Sequence, residues 1–212
     1  MYKRQTYHLL NELVSSGFVV HLPEHRTYGL GLAAYSMASA YTTQQPLVRL
    51  ATSRLKQAAA VVGGSGHLSR LAGSETVYLQ EVRSSGAPSL ITEVGVRLPA
   101  LRTASGRIMV AHLPPSEAQA AFATAGETAR LDAFQSELLR SREQGWAQEV
   151  EEVSPGQASV AVAVLDHLNR PAAALAVTYT QQDVDSATRA QAVKNLQVAA
   201  HAVGEKMYRR KG

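Results

Sequence analysis

Cysteine is absent from this 212-residue chain, which excludes a disulfide framework and any thiolate chemistry. Aromatic residues are scarce, at 6%, so much of the packing must come from small side chains, alanine above all. No apolar run approaches the ~20 residues of a membrane span, and the N-terminus lacks the basic-then-apolar pattern of a secretory signal. The expected compartment is therefore the cytoplasm, with no membrane partner. Neither sign of charge dominates: the net charge is +4 and the isoelectric point lies near 9.5. Such mild basicity suits nucleic acid or an anionic ligand and establishes neither. The length fits one to two domains, and no internal repeat or low-complexity tract interrupts it.

What is present begins with "QTYHLLNELVSSGFVVHLPEHRTYGLG", residues 5–31. Tyr7, Leu10, Leu13 and Val14 recur at helical spacing between Tyr2 and Ser16, with Lys3, Arg4, Gln5, His8, Asn11 and Glu12 off that stripe. Gly17 is the expected stop. Phe18 to Leu22 and Thr27 to Leu30 read as a hairpin around Pro23-Glu24-His25, with Gly29 and Gly31 loosening its exit. Leu32 to Tyr41 is Ala-rich and reads as a linker helix. Pro46 suits the first turn of another helix, with Leu47, Leu50, Ala51, Leu55, Ala58 and Val62 as its apolar face and a flexible turn at residues 63–66.

Strands are expected at His67 to Ala72, Thr76 to Arg83 and Ser89 to Glu93. Helices follow at Arg102 to Leu113, Ser116 to Phe122 and Leu131 to Gln144. Ser159 to Leu165 and Ala172 to Thr180 are near-continuous small apolar runs of the kind found in interior strands. Asp185 to Met207 forms a last helix with a basic end, Arg209-Arg210-Lys211. The order implies a helix-hairpin head over 1–31, a linker over 32–45, and an α+β domain over 46–212 whose antiparallel sheet is flanked by helices.

A helix carrying polar residues, followed by a hairpin with basic and His residues at its tip, is the back half of a winged helix. Lys3, Arg4, Gln5, Thr6 and His8 lie at the helix start, where base-edge contacts of such helices fall, and Arg26 lies in the hairpin that meets the phosphate backbone. An ordinary amphipathic helix with a hairpin has the same local pattern. Catalytic signatures are missing. "TASG" lacks the Gly two residues before Ser105 that a nucleophile elbow needs. "GGSGH" has neither the length nor the Lys of a phosphate-binding loop. Glu151 and Glu152 are adjacent on a loop, where two carboxylates seldom face one point. The seven His residues are scattered, and His21 and His25 at the hairpin suit a solvated tip better than a metal. No enzyme activity, metal or cofactor is expected.

Four segments in order, "HLLNELVSSGFV", "TYGLG", "GVRLPALRTASGRIMVA" and "GWAQEVEEVSPGQASVAVAVLD", resemble the IclR family of bacterial transcriptional regulators along nearly the whole chain. The resemblance implies a partial winged-helix head, a linker helix that mediates dimerisation, and a GAF-like effector-binding domain. It also implies two further helices ahead of the recognition helix. The implied partners are operator DNA and a small effector, with a homodimer or homotetramer as the working unit. A stand-alone sensing domain without a DNA role is the alternative. Carried over from the family, the effector contacts fall on Ala104, Ser105, Glu149, Ser159, Ala176 and Thr178.

The loop-to-helix turn adds Arg102, Thr103 and Gly106 for a physical reason. Thr103 can cap the helix, the first turn exposes N–H groups, and small side chains let an anion approach them. A carboxylate-bearing effector is thus expected. Arg102 serves it bidentately if it points inward and is a surface residue if it points outward. Tyr78 and Trp146 offer apolar wall or simply core.

Overall fold

The computed structural model describes residues 2–37, 46–88, 90, 92–123 and 125–208, with the backbone alone for 2–4 and 125–130. The chain divides into two compact units, Met1–Gln45 and Pro46–Gly212.

In the first unit the helix α1, Tyr2–Ser15, ends where the sequence has Gly17. That residue takes a left-handed φ of +74°. Its N–H bonds the Val14 carbonyl at 3.0 Å and the Phe18 N–H bonds the Leu13 carbonyl at 2.9 Å, which satisfies two of the carbonyls a helix end leaves open. The strands β1, Val19–Leu22, and β2, Thr27–Leu30, pair antiparallel from Val19↔Leu30 to Leu22↔Thr27. Their turn is a 3-10 segment, Pro23–His25, closed by Arg26 in the left-handed region. Gly31 does not loosen the exit. Its N–H is bonded to the Phe18 carbonyl at 2.8 Å, and a Cβ there would overlap the Gly17 carbonyl. Residues 32–37 are helical; the rest of the expected linker helix, 38–45, lies outside the described residues. Tyr7 and Leu13, half of the α1 stripe, are exposed, as expected of a unit with so few residues to cover them.

The second unit is one sheet between helices. In chain order its elements are α2, Pro46–Val62; β3, Ser65–Ala72; β4, Glu75–Arg83; β5, Arg97–Pro99; α3, Ala104–His112; α4, Pro115–Ala121; α5, Ala125–Gln144; β6, Ala147–Val150; β7, Gln157–Leu165; β8, Pro171–Thr180; and α6, Ser186–Tyr208. The six strands run β5-β4-β3-β8-β7-β6, every pair antiparallel. This is the expected α+β arrangement.

Alternation along the central strands sorts residues to two faces. Val160, Val162, Leu175 and Val177 join Leu47, Leu55, Leu196 and Val203 of α2 and α6 in the larger apolar cluster. On the other face Ala147, Ala161, Ala174 and Ala176 meet Ala104, Ile108 and Met109 of α3. Both faces are covered, which is why β7 and β8 read as continuous apolar runs.

Two expectations need correction. Of residues 63–66 only Gly63 and Gly64 form a turn, because β3 already starts at Ser65. Gly66 lies against the Leu55 carbonyl of α2, where a Cβ would stand 3.0 Å from that oxygen. No strand forms around Leu90, Thr92 and Glu93; Ser89 and Ile91 lie outside the described residues. The edge strand is instead Arg97–Pro99, paired with Glu75–Val77 and ended by a proline that cannot donate to a ladder. The basic tail 209–211 lies outside the described residues as well. Among the described residues no helix is long and apolar enough to cross a membrane.

Two outcomes are expected. Leu175 is fully buried, so Leu175→Asp should abolish cooperative thermal unfolding, since a buried unpaired charge costs several kcal/mol. Leu168→Asp, at a position 63% exposed in the β7–β8 turn, should melt as the parent does.

His67 on β3 is 1% exposed, and burial lowers its pKa from 6.5 to about 4, with Glu81 opposing and Arg83 reinforcing the shift. An unfolded chain takes up that proton below about pH 6.5 and the folded one does not. Stability is therefore full above that pH and lost as pH falls toward about 4, by at most about 3 kcal/mol. Urea denaturation of the parent and of His67→Phe across this window should show that acid-dependent loss in the parent alone.

Candidate functional site

Strand register builds the site before any side chain is considered. On the α3 face Glu149 of β6 lies opposite Ser159 of β7, Ser159 opposite Thr178 of β8, and Thr178 opposite Ser65 of β3. One step along runs a second row, Ala147, Ala161, Ala176 and His67. The first row is polar. The second is an alanine floor that lets α3 settle close to the sheet.

The polar row is hydrogen-bonded in one direction. Ser159 Oγ donates to Glu149 Oε1 at 2.6 Å. A hydroxyl has one proton, so the Thr178 Oγ1 contact with Ser159 at 2.9 Å has Thr178 as its donor. The Glu152 N–H donates to Glu149 Oε2 at 3.1 Å. Glu149 is 2% exposed. Burial raises its pKa above the ordinary carboxylate range, against the lowering effect of its hydrogen bonds, and the neighbouring charge of Glu152 adds to the rise. Glu149 sits in the strand β6. Tyr78 on β4 stays a neutral phenol, its pKa pushed up by burial and by the Glu149 charge.

Thr103 caps α3: its Oγ1 accepts from the Gly106 N–H at 2.9 Å and contacts Thr76 Oγ1 at 3.1 Å. The Arg107 N–H is taken by the Thr103 carbonyl at 3.0 Å. Ala104 and Ser105 supply the other two N–H groups of the first turn, at the positive end of the helix. Gly106 is needed for packing, since a Cβ there would overlap the Ala100 carbonyl.

Arg107 is buried to 3% and fully engaged. Its Nε donates to the Leu101 carbonyl at 2.8 Å and its Nη1 to the Gln148 carbonyl at 2.8 Å. Its Nη2 reaches the Glu152 carboxylate at 2.6 Å, Glu137 lies at 3.0 Å, and the guanidinium covers the Phe134 ring at 4.7 Å. The charge is therefore met by carboxylates and does not reach toward a ligand.

These elements enclose a small cavity bounded chiefly by Tyr78, Thr92, Thr103, Glu149, Ser159 and Thr178, with room for about one water molecule (about 10 Å³). Four of the residues singled out in the sequence, Thr103, Glu149, Ser159 and Thr178, border it. Ala104, Ser105 and Gly106 are buried in the first turn of α3, and Ala176 lies in the alanine floor one row away. Arg102 takes the outward of its two orientations: it is exposed and donates to the Glu152 carbonyl. Trp146 packs against the opposite, α2–α6 cluster.

At the head, Gln5, Thr6, His8 and Arg26 are exposed; the side chains of Lys3 and Arg4 lie outside the described residues. Sequence reasoning missed Thr92, Ser65 and His67. For Ser65 and His67 the signal was the alternation of polar residues in "SGHLS"; Thr92 had none. Among the described residues no group of three or more His, Asp or Glu is placed to hold a metal.

Comparison with known proteins agrees with this architecture. Residues 39–205 match the family described as bacterial transcriptional regulator IclR C-terminal. The HTH-type transcriptional regulator XynR of Escherichia coli K12 is 30% identical over 208 residues, which is 95% of this chain and 82% of that protein. The crystal structure of an IclR transcriptional regulator from Alicyclobacillus acidocaldarius superposes with a TM-score of 0.76 at 24% identity, covering 93% of this chain and 82% of that one. An IclR homolog from Microbacterium hydrocarbonoxydans, complexed with 4-hydroxybenzoate, gives a TM-score of 0.76 at 18% identity over 96% and 85% of the two chains. With the family matched along most of its length and a relative sharing nearly a third of its residues, the chain belongs to the IclR family of bacterial transcriptional regulators.

Proposed function

We propose that the protein is an effector-responsive regulator whose ligand is a small hydroxylated organic acid seated in the cavity between α3 and the polar row. The observation that carries this reading is the direction of the hydrogen bonds ending on Glu149. With both hydroxyl protons running toward the carboxylate, Thr178, Ser159 and Glu149 offer acceptors to the cavity. They call for a donor on the ligand, which a hydroxyl supplies. An anionic group is repelled by Glu149 and favoured at the α3 end, where Thr103, the residue that caps the helix N-terminus, borders the cavity. The 4-hydroxybenzoate held by the Microbacterium relative has one group of each kind, which supports this class. A ligand larger than water enters only as the cavity walls separate, so occupancy favours a different packing of the domain. That difference is what linkage to DNA affinity requires.

The DNA role falls to the head over 1–31, with the start of α1 toward bases and the hairpin toward phosphate, and a homodimer or homotetramer presents two heads to two half-sites. The acting contacts are Lys3, Arg4, Gln5, Thr6, His8 and Arg26. The setting of such a protein is the cytoplasm.

Calorimetry with 4-hydroxybenzoate, its amide and benzoate tests the ligand class. The hydroxy acid should bind more tightly than both. Glu149→Ala should weaken it by about 1.5–3 kcal/mol, the range for a hydrogen bond to a charged group, and should not weaken benzoate, whose carboxylate it no longer repels. Arg102→Ala should leave all three unchanged. Equal binding of the amide and the acid would remove the anion site from this reading.

For the head, fluorescence anisotropy with duplex DNA should show weak binding without sequence preference that falls steeply as salt is raised. Arg26→Ala should reduce the salt slope by about one. Tight binding to a single sequence at physiological salt would mean that this head suffices for operator recognition.

A further inference from the structure

Ser65, His67 and Ser69 occupy alternate positions of β3 and so share its α3-facing side. All three are essentially inaccessible to solvent. Among the described residues Ser65 Oγ, Ser69 Oγ and both ring nitrogens of His67 lack a hydrogen-bond partner. Buried polar atoms are almost always paired, because an unpaired one has given up water for nothing. Four unpaired atoms on one face of a single strand are far from that norm, and a strand of apolar residues would avoid the cost.

Their position relative to the cavity offers them a use. Ser65 lies directly opposite Thr178, at the end of the row that terminates on Glu149, and His67 is the diagonal neighbour of Thr178. Such diagonals stand about 7–8 Å apart. The Tyr78 ring meets His67 edge-on, with centroids 5.5 Å apart, and Tyr78 also borders the cavity. Tyr78 therefore touches both the cavity and the unpaired patch. Burial keeps the imidazole neutral at physiological pH, so it offers one donor and one acceptor. Glu81 is its register partner on β4, and that carboxylate is engaged by Arg83 at 2.8 Å.

We propose that His67, flanked by Ser65 and Ser69, is a specificity-determining residue of the effector site and binds a second, uncharged hydroxyl or carbonyl of the effector once the Tyr78 ring turns aside. The inference rests on the cavity being the effector site, and it narrows the ligand class to acids with at least two further hydrogen-bonding groups. A carboxylate at this end would have Glu81 across the strand and is excluded from the assignment.

The test uses the full chain with four probes: benzoate, 4-hydroxybenzoate, 3,4-dihydroxybenzoate and gluconate. The parent should bind one of the two polyhydroxylated probes more tightly than 4-hydroxybenzoate. His67→Phe and Ser69→Ala should each weaken that probe at least tenfold and change 4-hydroxybenzoate by less than threefold, with His67→Gln restoring part of the loss. Without ligand, His67→Phe should melt several degrees above the parent at neutral pH, because it removes two unpaired nitrogens and keeps a ring. A lower melting temperature for both His67→Phe and Ser69→Ala would show that the patch serves folding, and would overturn the proposal. Undiminished binding of the polyhydroxylated probe by His67→Phe would overturn it while leaving the effector reading intact. Failure of all four probes to bind the parent would remove the effector reading and this inference together.

Discussion

The α3 face of the sheet depends on one buried guanidinium. Arg107 bonds the carbonyls that close the turn before α3 and the strand β6, and it holds the Glu152 carboxylate at the start of the 151–156 loop. An ion pair between this buried guanidinium and partly exposed carboxylates adds little net stability, since desolvation of the guanidinium offsets attraction. What it does fix is geometry, because any displaced partner would leave a charge unmet in low dielectric. Glu149 lies on the strand that Arg107 holds, and its Oε2 accepts from the N–H of the same Glu152. The position of the acceptor at the cavity thus follows from the contacts of Arg107.

Close packing supplies the second constraint. The alanine floor and Gly106 bring α3 near enough to the sheet for Thr103 and the Glu149 row to border one cavity. Larger side chains at Ala161 or Ala176 would lift the helix and fill the space. The scarcity of aromatic residues in the sequence is the compositional trace of this arrangement.

Much of the fold was legible because period and punctuation agree. The apolar spacing of α2, the Gly17 stop and the two interior strands all follow from rules that act within a few residues. What escaped depended on distant partners. Arg97–Pro99 is too short to announce itself and becomes a strand only because Glu75–Val77 offers it a ladder. Ser65 and Gly66 look like a turn until Leu55 of α2 comes to rest on them. At the site, family resemblance and the capping pattern picked out Thr103, Glu149, Ser159 and Thr178, which the structure places round one cavity. Neither had any means of orienting Arg102, whose partner, the Glu152 carbonyl, is fifty residues away. Neither gave a hint that Arg107 would be neutralised by Glu137 and Glu152. Unpaired groups such as those of His67 cannot be read from a sequence at all, since pairing is a property of the assembled interior.

The two faces of the sheet divide the labour. The α2–α6 face is dry, dominated by branched aliphatic side chains, and holds the domain together. The α3 face has a cavity, a buried carboxylate whose pKa is raised, and polar atoms without partners, so it contributes less stability than its area allows. A ligand that satisfies those atoms binds the folded domain and not the unfolded one, and stabilises it in proportion to its occupancy. The same free energy is available to favour one arrangement of the domain over another, up to the difference in the ligand's affinity for the two. Polar groups left unsatisfied in the absence of ligand make that difference large, because the hydrogen bonds formed on binding displace no existing ones. With the effector bound at this face as proposed, the regulator gives up resting stability on one face of its sheet and becomes sensitive to its effector.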